Sequence, residues 1–153
     1  MALFLSTTIN KIDAKGRVSV PAPFRNALAG QEFHGIVAVP LLNLPGLQCG
    51  GLDWMEGLLS GVDQYDQLSE EQRALTFALF GSAEQLGFDG DGRITLPESL
   101  IGHANLTDQA AFVGVGKTFE IWEPQAAAAY KQVARQQVVD LSLTLRPPSG
   151  GSQ

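Results

Sequence analysis

The chain has 153 residues, 44% of them apolar, with 10 Lys and Arg against 16 Asp and Glu (net charge −6) and a single cysteine. That length holds one ordinary domain or two small ones in contact, and about two thirds of the unfolded surface can be hidden on folding. The lone Cys49 excludes an internal disulfide and fits a reducing cytosol, the run M-A-L-F-L-S-T-T is too short for a signal peptide, and nothing approaches the roughly 20 apolar residues of a bilayer span.

Thr7 to Ile12 reads as an extended segment, and D-A-K-G reads as a turn. Gly16 accepts positive φ there, while Asp13 can take backbone N–H groups two or three residues on. Arg17-Val18-Ser19-Val20 alternates polar and apolar, as a half-buried strand returning in a tight hairpin does, and Pro21 stops it. P-A-P-F-R-N-A-L predicts a short helix ended by Gly30. Ile36 to Val39 is a strand, Pro40 to Gly51 a loop rich in Pro and Gly, and Leu52 to Leu59 a short helix. Ser69 to Phe80 predicts a further helix, with Ser69 as N-cap, Gln72 reaching back, and Leu75, Leu79 and Phe80 on one core face. Ala83 to Phe88, the turn D-G-D-G, Arg93 to Leu96 and a helix opened by Pro97 then repeat the first plan. Ala110 to Val115 and Thr118 to Trp122, joined by Gly116-Lys117, read as a hairpin. Pro124 opens an alanine-rich helix to about Leu141, and the terminal R-P-P-S-G-G-S-Q has the composition of a disordered tail.

The plan is repeated because the sequence is. I-D-A-K-G-R-V-S-V-P at 12–21 and F-D-G-D-G-R-I-T-L-P at 88–97 share Asp13/Asp89, Gly16/Gly92, Arg17/Arg93 and Pro21/Pro97, all 76 positions apart and without a gap. Four ordered identities with a matched apolar rhythm mark one supersecondary unit used twice. Charge is segregated along the chain. Residues 1–40 carry a net +2, residues 41–108 a net −9, and the remainder +1. A small basic face on the first copy is one reading, and a solvated acidic middle is the other.

Arg17 follows the turn and has Lys15 beside it. Its guanidinium fork matches O6 and N7 of guanine or a phosphate, and a hairpin is narrow enough for the major groove. Alternatively, Arg17 pairs with Asp13 across the turn and only stiffens it.

I-D-A-K-G-R-V-S-V-P-A-P-F-R resembles the first signature of the bacterial MraZ family. L-F-G-S-A-E-Q-L-G-F-D-G-D-G-R-I-T-L-P-E-S-L, with V-G-V-G-K-T-F-E-I-W, is similar to its second half, so the likeness runs from residue 4 to about 140. The resemblance implies an α+β fold of two tandem AbrB-like swapped-hairpin β-barrel units with flanking helices, packed as an internal pseudo-dimer. The division expected is 1–60, 61–142 with the C-terminal helix, and a disordered tail at 143–153. It also implies a transcriptional regulator of its own division and cell-wall gene cluster, binding tandem G-rich repeats in double-stranded DNA as a ring-like homo-oligomer, cytoplasmic and nucleoid-associated. The family's DNA-contacting motif falls on Asp13, Lys15, Gly16 and Arg17. Arg25 matches the family's F-R, touching the DNA backbone or supporting the loop. Arg93 repeats Arg17, but Asp91 stands where the first copy has Lys15, so the second tip is expected to be the weaker one. An antitoxin-type protein-interaction module without strong DNA binding is the rival expectation.

No enzyme, cofactor, metal, membrane or small-molecule substrate is expected. Residues 87–98 nearly fit a calcium loop, with Asp89, Asp91, Gly92, Ile94 and Glu98 in register, but Gly87 replaces the first acid and Lys15 spoils the first copy. His34 and His103 lack partners in sequence, Ser6, Ser60 and Ser99 lack a nucleophile elbow, and G-V-G-K lacks the full phosphate-loop spacing. Trp54 and Trp122 read as core or interface residues.

Overall fold

The structure is a computed structural model and describes residues 3–145. The expected tail from residue 146 onward lies outside the described residues. The chain runs β1 (Thr7–Lys11), β2 (Arg17–Ser19), α1 (Ala22–Ala27), β3 (Gly35–Pro40), β4 (Gly46–Gly50), α2 (Leu52–Val62) and α3 (Glu70–Leu75). A π-helical turn (Thr76–Phe80), β5 (Glu84–Gly87), β6 (Arg93–Thr95), α4 (Glu98–His103), β7 (Gln109–Gly114), β8 (Phe119–Trp122) and α5 (Pro124–Asp140) follow. The fold is therefore α+β, with antiparallel pairing throughout.

Six strands form one sheet in the order β1-β7-β8-β4-β3-β5, and β2 pairs with β6 in a separate ribbon. Exchanging the repeats (β1 with β5, β3 with β7, β4 with β8) reverses that order onto itself. The ribbon obeys the same symmetry. Val18 opposes Ile94, its own counterpart in the other repeat, and Arg17 and Ser19 oppose Thr95 and Arg93. The two copies are thus related by an internal two-fold passing between Val18 and Ile94.

This differs from the hairpin expected within each copy. The turn forms, but β1 leaves it to pair with β7 and β2 leaves it to pair with β6, and only the single bridge Ile12–Val18 remains between the turn's own arms. The reason is burial. Val18 and Ile94 are each 1% exposed, and they reach that state by facing each other across the ribbon rather than across their own turns.

One core draws on both repeats: Phe4, Val18, Val20, Phe24, Ile36, Leu47, Ile94, Leu96, Leu100, Phe112, Phe119 and Ile121 belong to one buried cluster. Its aromatic centre joins the N-terminal segment, α1 and β8, with Phe4, Phe24 and Phe119 ring centroids 4.9–5.3 Å apart. A smaller cluster places Leu79 and Phe80 against Val37, Val39 and Met55.

Local chemistry sets the element ends. Ser69 caps α3 by accepting the Gln72 N–H, while the Gln72 side chain reaches back to the Leu68 N–H, one residue before the expected target. The expected single helix over 69–80 instead changes to π-helical pitch at Thr76. The loop expected over Pro40 to Gly51 contains strand β4, a short Gly-flanked run whose Leu47 and Cys49 are fully buried. α5 opens with Pro124 and is capped by the Glu123 carboxylate, which accepts the Ala126 N–H at 2.8 Å, yet none of its residues is buried.

Candidate nucleic-acid interface

Each D-x-x-G-R segment builds the same turn from its own atoms. In the first, Asp13 Oδ1 accepts the backbone N–H groups of Lys15 and Arg17, both at 2.9 Å, and Oδ2 accepts Arg17 Nε at 2.6 Å. The Asp13 and Arg17 backbones close the turn at 2.9 Å. These contacts, led by the Arg17 backbone N–H, hold the Asp13 carboxyl below the usual aspartate range. In the second, Asp89 Oδ1 accepts from Asp91 and Arg93 at 2.9 Å, and Oδ2 accepts Arg93 Nε at 2.9 Å. Asp89 is likewise held low, chiefly by the Arg93 backbone N–H. Both Asp89 oxygens thus face turn donors, an arrangement opposed to a calcium cage.

Both glycines are at positive φ, +83° at Gly16 and +75° at Gly92, where a side chain is strained. Gly16 is buried under the other repeat: a Cβ there would lie 3.0 Å from the Leu96 carbonyl oxygen, whose own residue donates its N–H to Gly16 O at 2.9 Å. The first fold-level demand on this glycine is therefore the approach of β6.

The tips differ in charge. Asp13, Lys15 and Arg17 sum to +1, and Asp89, Asp91 and Arg93 to −1. Lys15 is exposed, and the Arg17 side chain keeps 36% of its surface in solvent. Arg17 pairs with Asp13 through Nε, as the stiffening alternative expects, and its side chain is still partly exposed. Arg93 is more enclosed. Besides Asp89, it has Asp91 Oδ2 3.4 Å from its Nη2.

Arg25 does not join the first tip. Its Nη1 donates to the Val20 carbonyl, and its guanidinium covers Gly92, where a Cβ would meet Cζ and Nε at 2.7 Å. Its counterpart in the second repeat is Ile101, which lies 3.7 Å from the equivalent point on Gly16. Each helix thus caps the turn of the opposite copy. Of the six candidates, Asp13, Lys15, Gly16 and Arg17 form one cluster, and Arg25 and Arg93 belong to the other.

The ribbon adds residues that sequence reasoning missed. Positions 17 and 19 share a face of β2, and 93 and 95 share a face of β6. Exposed Ser19 and Thr95 therefore stand between the two arginines, and Asn10 Nδ2 holds the Ser19 carbonyl at 2.8 Å. The alternation in R-V-S-V marked Ser19 as outward, but nothing local placed it opposite Arg93.

Elsewhere, Trp122 donates to Glu120 at 2.9 Å and stacks on Tyr130, and His103 Nε2 meets the Leu44 carbonyl at 3.1 Å. Cys49 is fully buried, and desolvation pushes its thiol up. No helix among the described residues is long and apolar enough to cross a membrane.

Comparison with known proteins identifies the family. A family model described as "MraZ protein, putative antitoxin-like" matches residues 79–142, which hold the second turn, β7, β8 and α5. The protein called transcriptional regulator MraZ in Rickettsia rickettsii is 42% identical over 146 residues, covering 95% of this chain and 98% of the relative. The protein of the same name in Rickettsia bellii is 44% identical over 147 residues, with the same coverage. Identity of this extent spans both turns and the ribbon between them, and the chain belongs to the MraZ family.

Proposed function

We propose that this chain is a sequence-specific transcriptional regulator that binds double-stranded DNA through its first D-x-x-G-R tip. Arg17 reads guanine, and Lys15 engages phosphate. Asp13 and Gly16 shape the tip, while Arg93 contributes weakly from the acidic second tip, with Arg25 bracing it. The target is the chain's own division and cell-wall gene cluster, at tandem G-rich repeats, in the cytoplasm and at the nucleoid. Residues 1–60 and 61–142 are two AbrB-like swapped-hairpin units forming an internal pseudo-dimer, a reading supported by the exchange that pairs β2 with β6. The observation that carries the function is the basic tip itself: Lys15 is exposed, and Arg17 uses only Nε for its ion pair.

One tip with two cations is a weak DNA ligand, since each phosphate neutralised adds only about −0.9 to the salt slope. A ring-like homo-oligomer that presents several tips to tandem sites raises the effective concentration of each. The test is a gel shift with the duplex upstream of the chain's own gene, wild type against Arg17→Ala. Truncating a bidentate arginine costs about 1–3 kcal/mol and relaxes base preference. Unchanged binding by Arg17→Ala would remove Arg17 as the reader.

The rival, a protein-interaction role, is favoured by α5, which buries none of its residues and leaves Val133, Val138 and Val139 exposed. A stoichiometric protein partner recovered alongside blank gel shifts would select it.

A further inference from the structure

Asp13 holds two different things with its two oxygens. Oδ1 takes the Lys15 and Arg17 N–H groups and shapes the turn, while Oδ2 takes Arg17 Nε at 2.6 Å. Nε is thereby occupied. Among the described residues the two Nη groups of Arg17 have no hydrogen-bond or ion-pair partner, so the end of the fork is what solvent meets. Resting on the proposed DNA reading, we infer that Asp13 is a positioning residue for base specificity, which aims the Nη edge of Arg17 and at the same time weakens the tip's attraction for phosphate.

The two effects have opposite signs, which separates them from a merely structural role. A carboxylate beside Arg17 lowers the tip's net charge, and that opposes phosphate binding on any sequence. The same carboxylate fixes one of several rotamers of a long side chain before binding, so less freedom is lost when the fork meets a guanine edge. The second turn supplies the contrast. There Asp91 also approaches Arg93 Nη2, at 3.4 Å, so part of the outer edge faces a second carboxylate.

Asp13→Asn keeps one oxygen to accept the turn N–H groups, but its amide nitrogen cannot accept Arg17 Nε and the negative charge is gone. Its affinity for a random-sequence duplex should rise, with the salt slope steeper by up to about 1. Its ratio of operator to random binding, with the upstream duplex as operator, should fall about tenfold. Adding Lys15→Gln restores the net charge and should bring random binding back down while leaving the ratio low. Asp89→Asn, which loosens the equivalent turn without touching Arg17, should keep the wild-type ratio. A wild-type ratio in folded Asp13→Asn, or an equal loss in Asp89→Asn, overturns the inference. If Asp13→Asn does not fold, Asp13→Ser serves instead: its hydroxyl oxygen can still accept the turn N–H groups but no carboxylate is left for Arg17 Nε, so random binding should rise while the ratio falls, and a retained ratio overturns the inference. Wild-type operator binding by Arg17→Ala would instead count against the underlying DNA reading.

Discussion

Arg25, from the first repeat, lies directly on Gly92, from the second, with its Nη1 on the Val20 carbonyl. The contact sews one copy's helix to the other copy's turn. Arg25→Ala should therefore lower stability by about 1 kcal/mol through the lost charged hydrogen bond and stem packing, read by urea denaturation. It should leave the base preference of the first tip unchanged in a gel-shift panel of operator variants. A selective loss at one base position would place Arg25 in the reading surface instead.

Gly16→Ala combines a left-handed backbone with a Cβ at 3.0 Å from the Leu96 carbonyl. Loss of about 1–2 kcal/mol is expected, from the αL penalty plus the displaced β6 contact. Gly92→Ala is expected to destabilise as well and to push Arg25 off its site, because the neighbour there is a flexible side chain. Thermal melts of both variants check the pair.

Asp13 and Asp89 are held below the usual aspartate range by turn N–H groups and their arginines. A depressed folded-state value means that the charged form is favoured by folding. The contribution is therefore complete above the unfolded-state value and drains away as pH falls through the folded one, beginning below about pH 5. The acid limb of a stability–pH curve should flatten in an Asp13→Asn, Asp89→Asn double variant. An unaltered slope would show that the turns are not coupled to protonation.

The shared core predicts cooperativity. Phe119 is fully buried against Phe4, Phe24 and Phe112, so it ties β8 of one repeat to α1 of the other. Phe119→Ala should cost about 3–5 kcal/mol and shift the whole transition, with tryptophan fluorescence and far-ultraviolet dichroism remaining coincident. Two separated transitions would mean that the repeats unfold independently.

Asp91→Lys gives the second tip the composition of the first and removes the carboxylate near Arg93 Nη2. Affinity for random duplex should rise, with a salt slope steeper by about 1 or more. Binding that does not respond would indicate that the second tip never faces the duplex.

Much of the candidate site was legible because it is local. Asp13, Gly16 and Arg17 lie within five residues, and the geometry of such a turn follows from an Asx side chain and a positive-φ glycine whatever the rest of the chain does. Ser69 as a cap and Pro124 as a helix opener were legible for the same reason. β4 was hidden because its glycines look like loop residues until Leu47 and Cys49 have a core to enter. Ser19 and Thr95 were hidden because their shared face exists only in the ribbon's register.

The sequence alone determined that one turn is used twice, that each turn carries an aspartate and an arginine four positions apart, and that the first is basic and the second acidic. Those properties depend on neighbours a few bonds away. Only the tertiary structure decided which strand each turn delivers to which partner, and that Arg25 guards the opposite copy. Val18 and Ile94 can leave water fully only by meeting across the internal two-fold, and no local pattern encodes a contact between residues 76 positions apart.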